Sequence, residues 1–219
     1  MDNEDESEDV WGAPVVPPPR KTTTIPLDSE ELSPDLLKKI EKIDPKDIKP
    51  VIIKCERCDK NVLIPIPIEP VLESEKREVL INYVHKNNKN NDKHCLVFEV
   101  DHDFNILLPK AIDVIISTVS TPKKADDELK KSSAIRHVII KCDKCNENIH
   151  VPVPRKIIEE SKLPKTPVTY VHKSENCVDP HSVVLYLDNH FHDRDTRFPD
   201  ILILYLFPYW LKKNYCFTE

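Results

Sequence analysis

Two cysteines three residues apart, followed at a distance by two histidines, occur twice in this chain of 219 residues. The first set is Cys55, Cys58, His85 and His94; the second is Cys142, Cys145, His172 and His181. Both obey C-x2-C-x26-H-x8-H. Thiolate and imidazole are the ligands that structural zinc prefers, four at a time and tetrahedrally disposed. Two cysteines at this spacing reach one ion from a single tight turn. Such turns usually place a residue at positive φ just after the second cysteine. The chain has a single glycine, Gly12, and Asp59 and Asn146 stand at the two turn positions, with Asn61 and Asn148 two residues on. Asp and Asn are the non-glycine residues that tolerate this region best. The expectation is two zinc ions per chain, held by these eight residues.

The two sets belong to a longer internal repeat. Shifted by 87 residues, the stretch 51–104 overlays 138–191 with 20 identities in 54 positions and no gap. Chance gives about 4. Val51-Ile52-Ile53-Lys54-Cys55 falls on Val138-Ile139-Ile140-Lys141-Cys142, and Tyr83-Val84-His85-Lys86 on Tyr170-Val171-His172-Lys173. Cys95 falls on Ser182 and Cys177 on Asn90, so neither is a shared ligand. Asp101 and Asp188 do correspond; they suit either a hairpin turn or an acceptor for a ligand imidazole N–H.

Each copy reads as the same series of elements. A strand (51–54, 138–141) enters the C-x-x-C turn, and a second strand (62–68, 149–154) leaves it. The second strand carries Pro65 and Pro67, or Pro152 and Pro154. Proline donates nothing to a ladder, so this is an edge strand. A short helix around 71–76 or 156–161 comes next. A third strand (79–85, 168–172) ends at one histidine, and a fourth (96–101, 183–188) leaves the other. A further apolar element, Pro109 to Ser117, resembles Pro199 to Phe207. The fold class expected is mainly β with short helices (α+β), as two tandem zinc-ribbon-like domains at 51–120 and 138–219. A linker at 121–137 separates them, rich in Lys, Asp and Ser up to Ser133. Residues 32–50 hold a short helix, capped by Ser33-Pro34 and stopped at Asp44-Pro45, and a linker. Residues 1–31 are an acidic, proline-rich tail, either solubilising or docking.

The second copy reads VTYVHKSENCVDPHSVVLYLDNHF from Val168 to Phe191. With its C-x-x-C turn and proline-bearing strand, it resembles an uncharacterised zinc-ribbon-like domain of archaeal proteins. The resemblance covers 138–197, and 51–104 through the repeat. It implies a metal-bound β domain and names no activity.

Charge and cysteine usage narrow the function. Lys plus Arg is 32 against 38 Asp plus Glu, a net charge of −6, and the six acids among residues 1–10 account for all of it. The body is neutral, which argues against a general nucleic-acid binder. One glycine excludes glycine-rich phosphate loops. Seven cysteines, an odd number with two C-x-x-C pairs, do not form a secreted disulfide framework, and the N-terminus does not read as a secretory signal; the expected location is cytoplasmic. Residues 201–211, ILILYLFPYWL, are too few to span a bilayer. They read as a closing apolar element in preference to a membrane contact. Four ligands close a zinc site, so the expected function is a non-catalytic interaction or adaptor protein with an unidentified protein partner. A nucleic-acid-associated zinc ribbon is the alternative, with Lys54, Lys86, Lys141 and Lys173 repeated, and a zinc or thiol enzyme ranks third. Each copy is small, so chelation is expected to unfold the body.

Overall fold

The computed structural model describes residues 24–25, 34, 38, 40–41, 43–87, 89–117, 134–174 and 180–204. Twelve strands and two short helices are described. In chain order they are β1 (Thr24–Ile25), β2 (Ile48–Cys55), β3 (Lys60–Pro67), α1 (Ile68–Leu72), β4 (Glu78–Lys86), β5 (Lys93–Asp101), β6 (Ile106–Ile116), β7 (Ile135–Cys142), β8 (Glu147–Pro154), α2 (Arg155–Glu159), β9 (Thr166–His172), β10 (His181–Leu187), β11 (Asp193–Arg197) and β12 (Ile201–Leu204). The chain is mainly β, as expected. Of the helix expected between Ser33 and Asp44, Pro34, Lys38 and Ile40 are helical and most of the rest lies outside the described residues. The same holds for the tail apart from β1, for 121–133 of the linker, and for 205–211 of the apolar end. Ile135 to His137, placed in the linker by sequence, open β7.

Two hairpins stand outside the main sheet. β2 and β3 pair antiparallel from Ile48↔Pro67 to Cys55↔Lys60, and β1 adds to the free side of β2. β7 and β8 pair in the same way, from Ile135↔Pro154 to Cys142↔Glu147. The proline-bearing β3 and β8 are edge strands. Both turns use positive φ where glycine would ordinarily stand, at Asp59 (49°) and Asn146 (55°).

The remaining strands form one sheet, in the order β11-β10-β9-β6-β5-β4-β12. The two repeat segments therefore share a sheet, which the expectation of two tandem domains did not anticipate. They meet where β6 runs parallel to β9, Asp113 opposite Val168. The chain then returns: β12 runs parallel to β4, Ile201 opposite Ile81. Positions 81 and 168 are themselves 87 apart, so each half lends a parallel strand to the other.

This sheet must curl. β11 and β12 lie at its opposite ends, yet Arg197 and Ile201 are four residues apart and no more than about 14 Å distant. Seven flat strands would span about 29 Å. Contacts across the order agree with curling. Arg197 on β11 lies 3.8 Å from Glu99 on β5, and the Asp200 N–H donates to the Leu80 carbonyl at 2.9 Å.

A barrel-like ring results, with an inside and an outside. Val84, Cys95, Val97, Ile112, Val171, Val184 and Leu202, from six strands, form an inner cluster. On one outer face Val51, Ile53, Ile64 and Ile66 of the first hairpin pack on Ile81, Tyr83, Leu96 and Phe98. On the other, Val138, Ile140, Val151 and Val153 pack on Val168, Tyr170, Val183 and Leu185. Strands β4, β5, β9 and β10 are thus covered on both faces and read as nearly continuous apolar runs.

Candidate metal centres

Each hairpin carries its C-x-x-C turn to the end of the sheet where two neighbouring strands hold a histidine each. His85 lies one residue before the end of β4 and His94 one residue after the start of β5, directly opposite one another in the ladder. His172 ends β9 and His181 begins β10, also directly opposite. A cross-strand pair brings two side chains to about 5 Å, near enough to share an ion. The ring centroids are 4.1 Å apart in both pairs, at 67° and 68°. Tyr83 and Tyr170 stack behind the first imidazole of each pair, at 5.4 and 5.5 Å.

The eight residues singled out by spacing form two groups, with the candidate ligand atoms of each within 4.8 Å of one another. Cys55 Sγ and Cys58 Sγ both lie 3.2 Å from His94 Nε2, and Cys58 Sγ lies 3.4 Å from His85 Nε2. In the second group Cys142 Sγ is 3.2 Å from His181 Nε2, and Cys145 Sγ is 3.7 Å from His172 Nε2. Bonds of 2.3 Å to sulfur and 2.05 Å to nitrogen at a tetrahedral angle separate the two atoms by about 3.6 Å. Both groups therefore fit a tetrahedral ion. Cys145 alone of the eight is half-buried; the others are buried.

Electrostatics differ between the two groups. Burial pushes the Cys58 thiol up to about 11, reinforced by the Cys55 sulfur beside it. Burial raises the Cys142 thiol too, but hydrogen bonds from His172 and His181 outweigh it and bring the thiol down to about 5. His85 is pushed down to about 4, by burial first and the neighbouring His94 second. His94 is lowered as well, again chiefly by burial. Buried neutral imidazoles are ready ligands; a bound cation would ionise the thiols.

A supporting network surrounds the first group. Asp92 Oδ2 lies 3.2 Å from His94 Nδ1, the nitrogen turned away from the sulfurs. Arg57, between the two cysteines, donates to Asp92 through Nε at 2.8 Å and Nη2 at 3.0 Å, and to Asp113 on β6 through Nη1 at 2.8 Å. The turn, the second histidine and the sheet are thereby tied together.

Asp101 and Asp188 do not serve the four grouped histidines. Asp101 Oδ1 accepts the backbone N–H groups of Asp103 and Asn105, at 3.0 and 2.8 Å. Asp188 Oδ1 accepts those of His190 and His192, at 2.8 and 2.9 Å. Both close turns in which the next phenylalanine takes positive φ, Phe104 at 63° and Phe191 at 65°. Sequence reasoning missed Asp92, although its repetition as Asp179 in Asp-x-His was a usable signal. Cys95 lies in the inner cluster with no exposed surface, away from the ligand groups. Cys177 and Asp179 are outside the described residues. The described cysteines form no disulfide.

No family model matches the chain, and neither the curated proteins nor the solved structures contain a match. No helix among the described residues is long and apolar enough to cross a membrane.

Proposed function

We propose that this chain is a non-catalytic interaction protein, built by duplication of a zinc-ribbon-like unit and holding one structural zinc ion in each half. The carrying observation is that each group offers four soft or borderline ligands around one point. Catalytic zinc keeps a coordination position open, usually with three protein ligands. Cys55, Cys58, His85 and His94 would fill the first ion's coordination, and Cys142, Cys145, His172 and His181 the second. Zinc is the favoured ion because two thiolates with two imidazoles are a usual structural set for it. Duplication is supported by matching ring geometries, turn conformations and strand registers at positions 87 apart.

X-ray absorption at the zinc edge tests this reading. Two sulfur and two nitrogen neighbours per ion, with no oxygen, are expected. A water oxygen in the shell would reopen the enzyme reading. The nucleic-acid alternative draws on Lys54, Lys86, Lys141 and Lys173, all exposed. It requires duplex or single-strand binding that weakens steeply with salt.

A further inference from the structure

The two hairpins differ at one edge. β2 receives β1 on its free side, antiparallel, with Ile25 opposite Ile52 and Thr24 opposite Ile53. The corresponding β7 is paired on one side only, with β8, among the described residues. The two hairpins also differ in cover at one pair of outward positions. Ile52 has 0% of its surface exposed; Ile139, 87 residues later, has 62%.

Edge strands ordinarily carry defences against further pairing. The other edge of this hairpin has them, since β8 contains Pro152 and Pro154. β7 reads IRHVIIKC, with no proline from Ile135 to Cys142. Each alternate residue whose backbone faces the free edge can donate to it, and a large β-branched side chain stands uncovered near the strand's middle. Lys141 is the one charge on the face that Ile139 shares; Arg136, also exposed, lies on the alternate face.

We infer that the free edge of β7 is a docking site for an extended segment of a partner protein, which adds to the hairpin as a third, antiparallel strand. Pairing of this kind draws affinity from main-chain hydrogen bonds and specificity from alternate side chains. The chain itself shows the chemistry that such an edge accepts, because β1 already occupies the equivalent one. In that register a β-branched residue lies opposite Ile139. Two positions earlier in the incoming strand, a residue lies opposite Lys141. The outward face of β7 and β8 presents His137, Ile139, Lys141, Asn148, His150 and Pro152, with a positive charge and no carboxylate. The fitting segment is therefore extended, carries Ile or Val, and carries Asp or Glu two residues before it. This inference gives the interaction reading above a surface; the edge itself does not depend on whether the bound ion is zinc.

The probe is a labelled peptide with the sequence of residues 20–29 and Thr23 replaced by glutamate, titrated into the full chain. Saturable binding is expected, with slowed amide exchange confined to β7. Ile139→Lys should weaken binding at least tenfold. Lys141→Glu should weaken the glutamate peptide and leave the parent peptide, with Thr23 retained, unaffected. Both substituted side chains are exposed, and an unchanged metal content of each variant verifies that the hairpin is intact. Absence of binding at millimolar peptide overturns the inference, as does equal binding by Ile139→Lys. So does full protection of the β7 amides in the chain alone, which would mean that the chain covers its own edge. Concentration-dependent dimerisation abolished by Ile139→Lys would overturn it in favour of a second copy. A metal-free wild-type protein would remove the zinc reading and leave the peptide result to decide the edge.

Discussion

Asn82 on β4 donates through Nδ2 to Ser182 Oγ on β10 at 3.0 Å, and both side chains are buried. The pair joins the two halves of the chain across the ring. Their counterparts 87 residues away, Thr169 and Cys95, are buried too, and Thr169 counters part of the rise in the Cys95 thiol that burial causes. Asn82→Ala leaves the Ser182 hydroxyl without its partner in an apolar interior. A loss of about 2 kcal/mol is expected in urea unfolding. Replacing both residues, as Asn82→Val with Ser182→Ala, should recover part of that loss.

Asp92 is the clearest test of the surroundings of the first candidate metal site. Its carboxylate faces His94 Nδ1 and takes two hydrogen bonds from Arg57. Such partners fix the ring and raise its basicity, and their loss commonly weakens metal affinity about 10–100-fold. Asp92→Asn should therefore lower affinity at the first site by this factor and leave the second unchanged. Competition with a chromophoric chelator separates the two sites.

The core argument for metal dependence changes with the shared sheet. A lone repeat would lean on its ion, but the inner cluster of Val84, Cys95, Val97, Ile112, Val171, Val184 and Leu202 contains none of the eight grouped ligands. The first hairpin, by contrast, meets the sheet beside Cys55 and Cys58, and each hairpin carries two of the four ligands of its group. Chelation should therefore release exchange protection in β2, β3, β7 and β8 while β4, β5, β9 and β10 stay protected. Global loss of protection would show that the ions hold the whole body.

Acid should loosen the metal-free protein from the histidine side. The folded chain holds His85 at about 4, below the ordinary value near 6.5. The unfolded chain binds the proton first as pH falls. Stability from this group is complete above about pH 6.5 and is lost progressively down to about pH 4, by at most about 1.4 kcal/mol per unit. Unfolding midpoints measured from pH 7 to 4 should decline across this window. With metal bound, the decline should move to lower pH, because the ion competes with the proton.

What could be read from the sequence was what local chemistry dictates. The eight candidate ligands stood out because type and spacing recur together. The strands were legible as apolar alternation, and the edge position of β3 and β8 from their prolines. Pairings made at a distance left no local mark: β6 beside β9 and β12 beside β4 depend on which apolar edge meets which. β11, with the sequence DRDTR and mostly exposed side chains, shows no apolar pattern at all. β1 is two residues long and its pairing lies with residues 27 or more positions away.

Native mass spectrometry of the purified chain and its Cys58→Ser, Cys145→Ser and doubly substituted forms tests the central claim most directly. Two zinc ions in the parent, one in each single variant and none in the double variant are expected. A parent without metal, or a stoichiometry that the substitutions leave unchanged, would contradict the assignment of one ion to each Cys2His2 group.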